Sequence, residues 1–431
     1  MKNVLMVAYD FPPMNTSGSA RPQFFAKYLS DYGYWPIVLT RDGLGAESGI
    51  ADHVSLSTVD GLCQVERVRP GDNDHWDSWF RRWFGFLDFF SFCSREKKSI
   101  AEFLTWRLGL RYKEYVHWVL PGVLRGLSLV RKNKINIIWA TGPRWGSLRI
   151  GYWLSRLSRL PLIVDIRDPW TYGVLWDTEK KIACQREATW EEKILNYASR
   201  VIYTSPLTAD IARNKYPALA EKISCITNGF SNLSVPSIRN CQKDKCLFVY
   251  LGRLDEGFRN PASFFKALNE LKYEKEVYGN ILVQIYSSSS WAEKLIKDCD
   301  LCDVVEYRGF VPQDESLQIM RGADCLLLLQ TIKAEGSDVI SGKVYEYLAT
   351  GNQILGIVPE NGGDAWILKE TSHDCISFDA DPADIAEMIR ACYRRWKLGT
   401  DSNVQAEDLE RFSRQTTTQE LANVFDELLA S

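Results

Sequence analysis

Short apolar runs alternate along the whole chain with amphipathic segments of helical length, and this alternation is typical of parallel α/β folds. Turns rich in Gly, Pro and Asn follow most of the runs, as expected where strands end. The predicted strands lie at residues 4–8, 36–40, 135–140, 162–165, 201–203, 247–251, 281–286, 304–307, 325–329 and 353–357.

The two halves of the chain open alike. Each begins with a strand, continues through a glycine loop that carries arginine, and enters a helix that begins with Phe-Phe. Because 431 residues exceed one ordinary core, we predict two Rossmann-like domains. The predicted domains are residues 1–232 and 233–405, and residues 406–431 form a last helix that packs back on the first domain.

Composition is that of a soluble globular protein, with 45% apolar and 25% charged residues. The sequence contains no run of 18 apolar residues, so no transmembrane helix is predicted. The short apolar run at the N-terminus lacks the features of a signal peptide. We therefore expect a cytoplasmic protein whose 11 cysteines are reduced. Cys299 and Cys302 form a lone C-x-x-C without further ligands, so no metal site is predicted there.

The net charge of −3 predicts no nucleic-acid partner, but cations concentrate between residues 115 and 164, where no acid occurs. Residues 76–90, just before them, are dense in Trp, Phe and Arg. Together these segments fit peripheral contact with an anionic inner membrane face, or else an aromatic core stripe beside solvated helices. The cations are Arg125, Arg131, Lys132, Lys134, Arg144, Arg149, Arg156 and Arg159.

Glycine loops follow the first strand of each half. In the first half, Gly18 would let backbone N–H groups approach an anion, although a tight turn would also explain it. In the second half, Gly252 is followed by Arg253 and Arg259 at the edge where α/β sheets bind ligands. Arginine grips phosphate oxygens with two parallel hydrogen bonds. Salt bridges to neighbouring acids are the alternative for both arginines.

The segment from Asp338 to Gly351 is the most informative in the chain. Ser341 and Gly342 predict the start of a helix that Gly351 ends, so its free N–H groups would face a diphosphate. Lys343 adds a positive charge there. Glu346, one turn further, suits two ribose hydroxyls, and Asp338 suits hydroxyls of a sugar.

A second group of candidates follows the strand predicted at residues 162–165. Asp168 is the candidate for contact with an acceptor hydroxyl or the transferred sugar, and pairing with Arg167 is the alternative. Arg167 and Trp170 are predicted on the acceptor side. The four histidines fall in no catalytic pattern and are predicted to be structural or exposed; they are His53, His75, His117 and His373.

These segments resemble the retaining GT-B glycosyltransferases of family 4, especially those of bacterial surface-polysaccharide clusters. Residues 346–349 stand in place of their Glu-Ala-Met-Ala, Arg253 matches the arginine of their Gly-Arg-Leu loop, and Gly18 matches their first glycine loop. Two positions depart from the pattern: Asp338 replaces a glutamate, and a lysine after the Gly-Arg loop is absent, so Arg259 takes its place.

The resemblance implies a GT-B fold, with two facing Rossmann-like domains, parallel sheets and an interdomain cleft. It also implies transfer from a nucleoside-diphosphate sugar to a saccharide or polyprenyl-linked saccharide, with retained configuration. Arg253, Arg259 and Lys343 would stabilise the leaving diphosphate, so neither metal nor cofactor is expected. The donor-side residues would be Gly18, Gly252, Ser341, Gly342, Lys343 and Glu346.

Three alternative functions remain open at this stage. A nucleotide-sugar 2-epimerase shares the architecture but would need a histidine among its catalytic groups. A non-catalytic nucleotide-sugar-binding protein would retain the fold without turnover. A dinucleotide-dependent oxidoreductase would need the G-x-G-x-x-G fingerprint, which neither loop has.

Overall fold

The protein is described by a computed structural model, which covers residues 1–14, 16, 18–42, 57–68, 118–171, 181–231, 244–331, 338–399 and 406–430. The chain forms two compact units. The first contains Met1–Ile226 and Thr418–Ser431, and the second contains Thr227–Thr417.

The described part of the first unit has a seven-stranded parallel sheet in the order β3-β2-β1-β4-β5-β6-β7. Its strands are β1 (Lys2–Val7), β2 (Tyr34–Arg41), β3 (Gln64–Val68), β4 (Ile135–Thr141), β5 (Leu162–Ile166), β6 (Arg200–Tyr203) and β7 (Ile223–Cys225). Successive residues of β1 pack on opposite sides: Leu5 and Val7 in one core cluster, Val4 and Met6 in another. The sheet is therefore buried on both faces, as parallel sheets are.

Helices connect these strands on both faces of the sheet. They are α1 (Ala20–Tyr28), α2 (Leu120–Lys132), α3 (Trp145–Ser158), α4 (Lys181–Tyr197) and α5 (Pro206–Lys215), with 3₁₀ helices at Leu29–Tyr32 and Pro217–Lys222.

The second unit has a six-stranded parallel sheet in the order β10-β9-β8-β11-β12-β13 in its described part. Its strands are β8 (Cys246–Leu251), β9 (Ile281–Tyr286), β10 (Val305–Tyr307), β11 (Cys325–Leu329), β12 (Gln353–Val358) and β13 (Asp374–Ser377). Its helices are α6 (Ala262–Leu271), α7 (Lys275–Tyr278), α8 (Ser290–Asp298), α9 (Gln313–Gly322), α10 (Gly342–Leu348), α11 (Gly363–Glu370), α12 (Pro382–Leu398) and α13 (Ala406–Glu410).

Both sheets share one topology. Counted within its own unit, each has its first strand beside the second on one side and the fourth on the other. Successive strands are therefore added on one side of β1 up to β3 and on its other side from β4 onwards. The same switch occurs between β8 and β11. Ligands of doubly wound folds bind at this point, beyond the carboxyl ends of the strands.

Every strand predicted from the sequence forms, within one or two residues of its expected ends. Three strands were not predicted: β3, β7 and β13, each at an edge of its sheet. Few of their residues are buried, so they lack the continuous apolar run that marks a central parallel strand.

A buried ion pair joins one helix and two strands of the first unit. Arg21, which is 1% exposed, donates to both carboxylate oxygens of Asp165, which is fully buried, at 2.7 to 3.1 Å. Thr141 Oγ1 donates to the same carboxylate at 2.7 Å, and Arg21 Nη2 also donates to the Ile226 carbonyl at 2.9 Å. The pair thus ties the start of α1 to the ends of β4 and β5.

The C-terminal helix α14 (Arg414–Ala430) carries the chain from the second unit into the first. Leu409 and Phe412, just before it, pack in a core cluster of the second unit. Leu421 and Phe425 pack in a core cluster of the first unit, and Asp426 accepts a hydrogen bond from Tyr34 at 2.8 Å.

No helix in the described ranges is long and apolar enough to cross a membrane. The aromatic segment at residues 76–90 lies outside the described residues, as do His53, His75 and His117. His373 is buried, its pKa falls to about 3 because burial disfavours its charged form, and its Nδ1 accepts the Ile354 N–H.

We expect Asp165→Asn to lower the free energy of unfolding of the first unit by about 3–5 kcal/mol, because it leaves the buried Arg21 charge without its anion. Urea denaturation followed by tryptophan fluorescence measures this, and hydrogen exchange assigns the transition to the first unit. The matched control is Asp210→Asn, which removes an exposed pair with Arg213 and should cost about 0–1 kcal/mol. Equal losses in the two variants would contradict the prediction.

Candidate functional site

In the second unit, Lys343 lies against the glycine loop that follows β8. Its Nζ is 3.3 Å from the Tyr250 hydroxyl oxygen and 4.3 Å from the centre of that ring. Gly252 has φ of +131°, and a Cβ added there would lie 2.2 Å from Lys343 Nζ. The loop therefore requires glycine for its backbone conformation, and a side chain there would displace the lysine ammonium group.

The charge on Lys343 is poorly compensated. Burial lowers its pKa from 10.5 to about 7, and the nearby Arg259 adds to this shift, whereas Glu346 and Asp364 oppose it. An anion bound beside the ammonium group would restore the charged form. The site can thus take up a proton together with an anionic ligand.

Asp364, a residue that the sequence analysis missed, holds the loop before α10. It is fully buried at the start of α11, and its Oδ1 accepts the Ser341 N–H at 2.8 Å. Burial raises its pKa to about 6. A Cβ on Gly363 would lie 2.8 Å from the Asp338 carbonyl oxygen, so these two loops touch. The available signal was the Gly-Gly-Asp sequence at residues 362–364, in the segment that follows the strand predicted at 353–357.

Helix α10 turns Glu346 outward. Its neighbours Tyr345 and Tyr347 are buried, and the Tyr347 hydroxyl accepts the Leu251 N–H at 3.1 Å. The Glu346 side chain reaches solvent and has no hydrogen bond or ion pair in the described part of the chain. Desolvation raises its pKa, and Lys343 and Arg414 oppose that shift. Ser341 is the N-cap residue of α10 and Gly342 its first residue, as predicted.

Arg253 and Arg259 are both exposed on the loop after β8. Arg259 approaches Asp255 at 3.9 Å, the upper limit of an ion pair, so the salt-bridge alternative holds only weakly for it. Arg253 forms no ion pair within the described ranges. Both guanidinium groups can therefore reorient towards a ligand. Asp338 is half-buried in the segment that precedes α10.

In the first unit, Gly18 packs against two loops. A Cβ there would lie 2.3 Å from Asp10 Oδ2 and 3.2 Å from Arg167 Nη2. Asp10 follows β1 and Arg167 follows β5, so this glycine permits a close approach of the two loop ends. The predicted residue Gly18 and the predicted pair Arg167–Asp168 thus lie at one edge of one sheet.

Arg167 is fixed by the loop after β4, because its Nε donates to the Gly142 carbonyl at 2.6 Å. The adjacent Asp168 is half-buried and forms no hydrogen bond or ion pair among the described residues. Burial raises the pKa of Asp168, and the Arg167 charge opposes the shift. This carboxylate therefore retains its capacity to accept a proton or a hydrogen bond.

Trp170 lies inside the first unit rather than at its surface. It is 1% exposed, stacks on Trp145 with ring centres 4.6 Å apart, and donates to Glu187 at 2.9 Å. Trp170, which is predicted on the acceptor side, therefore does not present its ring to solvent. Trp145, which is half-buried at the start of α3, offers the more accessible ring.

No protein-family model matches the sequence, and no curated protein matches it. Solved structures do match in fold. A glycosyltransferase from Rickettsia africae ESF-5 has a TM-score of 0.65 at 14% identity, covering 99% of this chain and 98% of that one. Sucrose-phosphate synthase from Thermosynechococcus elongatus has a TM-score of 0.64 at 15% identity, with all of both chains covered.

A third match is a mutant of TarM from S. aureus, in complex with Fondaparinux, alpha-GlcNAc-glycerol and UDP. It has a TM-score of 0.60 at 11% identity, covering 99% of this chain and 100% of that chain. At such identities the likeness concerns the fold alone. The expected fold class is confirmed: two α/β units with parallel sheets, of the GT-B glycosyltransferase type.

We expect Gly252→Ala to destabilise the second unit by about 1–3 kcal/mol, because the new methyl group meets Lys343 and the residue must keep a positive φ. The control is Gly309→Ala, because Gly309 also has a positive φ, of +73°, but has nothing within 4 Å of the added Cβ. Thermal and urea denaturation compare the two. A control as damaging as Gly252→Ala would show that backbone strain alone sets the cost.

Proposed function

We propose that this chain is a retaining glycosyltransferase that moves a sugar from a nucleoside-diphosphate sugar to a saccharide acceptor. The observation that carries the proposal is the poorly compensated Lys343, held over Tyr250 at the ligand-binding edge of the second sheet. Arg253 and Arg259 extend from the adjacent loop. This group suits a diphosphate, and the fold is one shared with known glycosyltransferases.

The donor would bind to the second unit. Lys343, Arg253 and Arg259 would hold the diphosphate, assisted by backbone N–H groups near Gly252, Ser341 and Gly342. Glu346, which points outward without a partner among the described residues, would accept hydrogen bonds from two ribose hydroxyls. Asp338 would contact hydroxyls of the donor sugar, as its counterpart does in the family that the sequence resembles.

The acceptor would bind to the first unit. Asp168, exposed enough to accept a hydrogen bond, would meet the acceptor hydroxyl or the transferred sugar. Gly18 and Arg167 would shape the same edge, and Trp170 would support it from within. We further propose that the acceptor is lipid-linked, in surface-polysaccharide synthesis, and that the aromatic segment at residues 76–90 contacts the membrane face.

The chemistry follows from where charge develops. As the bond between the anomeric carbon and the β-phosphate oxygen breaks, its electron pair passes to the phosphate. Lys343, Arg253 and Arg259 would stabilise this charge because they are in place beforehand. The acceptor hydroxyl would attack from the same face, and its proton would pass to the departing phosphate, so the configuration is retained without a metal or cofactor.

Binding of the donor nucleotide is the first test. We expect a nucleoside diphosphate, with UDP as the first probe because the TarM structure contains it, to raise the melting temperature without added metal. Glu346→Ala should weaken binding about tenfold or more, because both ribose hydrogen bonds are lost. Thermal shift and isothermal titration calorimetry measure the two effects.

Glu270→Ala is the matched control for this test. Glu270 is likewise an exposed helical glutamate of the second unit with no described partner, but it lies on α6. This variant should bind every nucleotide as the unmodified chain does. If Glu270→Ala weakens binding as much as Glu346→Ala, or if no nucleoside diphosphate or nucleotide sugar binds, the proposed donor site is wrong.

Affinity should also depend on pH through Lys343. Because its pKa is about 7 without ligand, the ammonium form is mostly present at pH 6.5 and mostly lost at pH 8.5. A diphosphate prefers the charged form, so we expect binding to weaken roughly tenfold over this range. Lys343→Arg keeps the charge at both pH values and should remove most of the dependence. An identical pH profile in that variant would assign the dependence to another group.

A further inference from the structure

Two arginines surround one tyrosine at the ligand-binding edge of the first unit. Tyr9 follows β1, Arg41 ends the neighbouring β2, and Arg144 follows β4 on the other side. The guanidinium carbons of Arg41 and Arg144 each lie 5.2 Å from the centre of the Tyr9 ring. Arg41 Nη1 also donates to the Tyr9 hydroxyl oxygen. The three side chains therefore form one cluster, the Tyr9 cluster.

The positive charges of this cluster are not neutralised by the described residues. Neither Arg41 nor Arg144 forms an ion pair in those ranges. Five other arginines of the first unit have carboxylate partners: Arg21 with Asp165, Arg125 with Glu66, Arg149 with Glu187, Arg200 with Glu427, and Arg213 with Asp210. Two like charges held around one ring repel each other, and a bound anion would offset this repulsion.

Neighbouring groups do not reverse the sign of this surface. Arg67, on β3, donates to the Pro12 carbonyl and adds a third cation close by. Asp42 follows Arg41, and its charge acts on Arg67, so this acid offsets one of the three cations. Asp10 follows Tyr9 but packs towards Gly18. Among the residues that the structure describes, a net positive charge remains at the Tyr9 cluster.

The cluster also has a structural link to Asp168. Arg144 lies two residues after Gly142, whose carbonyl oxygen accepts the hydrogen bond from Arg167 Nε. One loop therefore carries Arg144 and positions the residue that precedes Asp168. A molecule bound by an anionic group at the cluster would extend along the edge that holds Asp168.

From this arrangement we infer that the Tyr9 cluster binds a phosphate or diphosphate group carried by the acceptor. Guanidinium groups grip phosphate oxygens with paired hydrogen bonds, and two uncompensated cations match a dianion better than a single carboxylate. This inference rests on the proposed function, because only a glycosyltransferase would have an acceptor. It places this anion on the first unit and the donor diphosphate on the second.

The experiment is a titration of the full chain with inorganic pyrophosphate while a saturating nucleoside diphosphate occupies the donor site. Isothermal titration calorimetry should show a remaining binding event in the unmodified chain. Arg144→Gln and Arg41→Gln should each weaken it about tenfold, because each removes a charge-assisted contact. If no nucleoside diphosphate binds, the same titration on Lys343→Gln tests this site independently of the proposed function.

Arg156→Gln provides the matched control. Arg156 is also exposed and also beside a ring, 5.9 Å from the centre of Tyr197, but it lies in the last turn of α3, whereas Arg144 precedes the first. At 1.5 Å per residue the two positions are about 18 Å apart. Arg156→Gln should bind pyrophosphate as the unmodified chain does.

Three results would overturn the inference. They are no pyrophosphate binding with the donor site filled, equal binding by Arg144→Gln and Arg156→Gln, and stronger binding of a uronate than of methyl phosphate in parallel titrations. The melting temperature of each variant shows whether it is folded. If Arg41→Gln is unfolded, the result for Arg144→Gln is decisive, because Arg144 is exposed. Binding retained by the control and lost by Arg144→Gln supports a phosphate-bearing acceptor.

Discussion

The buried pair of Arg21 and Asp165 is the constraint on which the first unit depends. Removing two charges from water is costly, and only good geometry with further hydrogen bonds offsets that cost. Here Thr141 and the Ile226 carbonyl complete the network, and the Asp165 carbonyl accepts the Gly142 N–H at 2.9 Å. A change at any of these positions would therefore move the loops after β4 and β5 together. Those loops carry Arg144, Arg167 and Asp168, so a structural ion pair sets the positions of these candidate functional residues.

The second unit reaches a comparable arrangement by steric means. Gly252 has a backbone conformation that other residues rarely adopt, and the missing side chain leaves the space that Lys343 fills. Asp364 then anchors the segment before α10 through the Ser341 N–H. Both units thus use the same edge of the same topology, where the strand order reverses. One holds its loops with a neutralised buried pair, and the other with close packing around an incompletely neutralised lysine.

Sequence pattern predicted the central strands, the start of α10 and the glycine loop after β8, because each has a strong local signal: an apolar run, a capping residue, or glycine beside arginine. It missed the edge strands β3, β7 and β13, whose residues are only partly buried. It also missed Asp165 and Asp364, since their importance comes from partners more than 20 residues away in the chain. The sequence placed Trp170 on the acceptor side but did not indicate its burial, which comes from contacts with Trp145 and Glu187.

Charge compensation separates structural from functional cations in this protein. Arg21 and Arg149 are buried, and each has a carboxylate within 2.7 Å, so their charges are satisfied without any ligand. Lys343, Arg41 and Arg144 are held in place by aromatic rings instead, which attract a cation but do not neutralise it. A folded chain gains little stability from such a charge, and near a second cation it loses some. Their position beyond the carboxyl ends of the strands in both sheets therefore supports the proposal that substrates bring an anion to each unit.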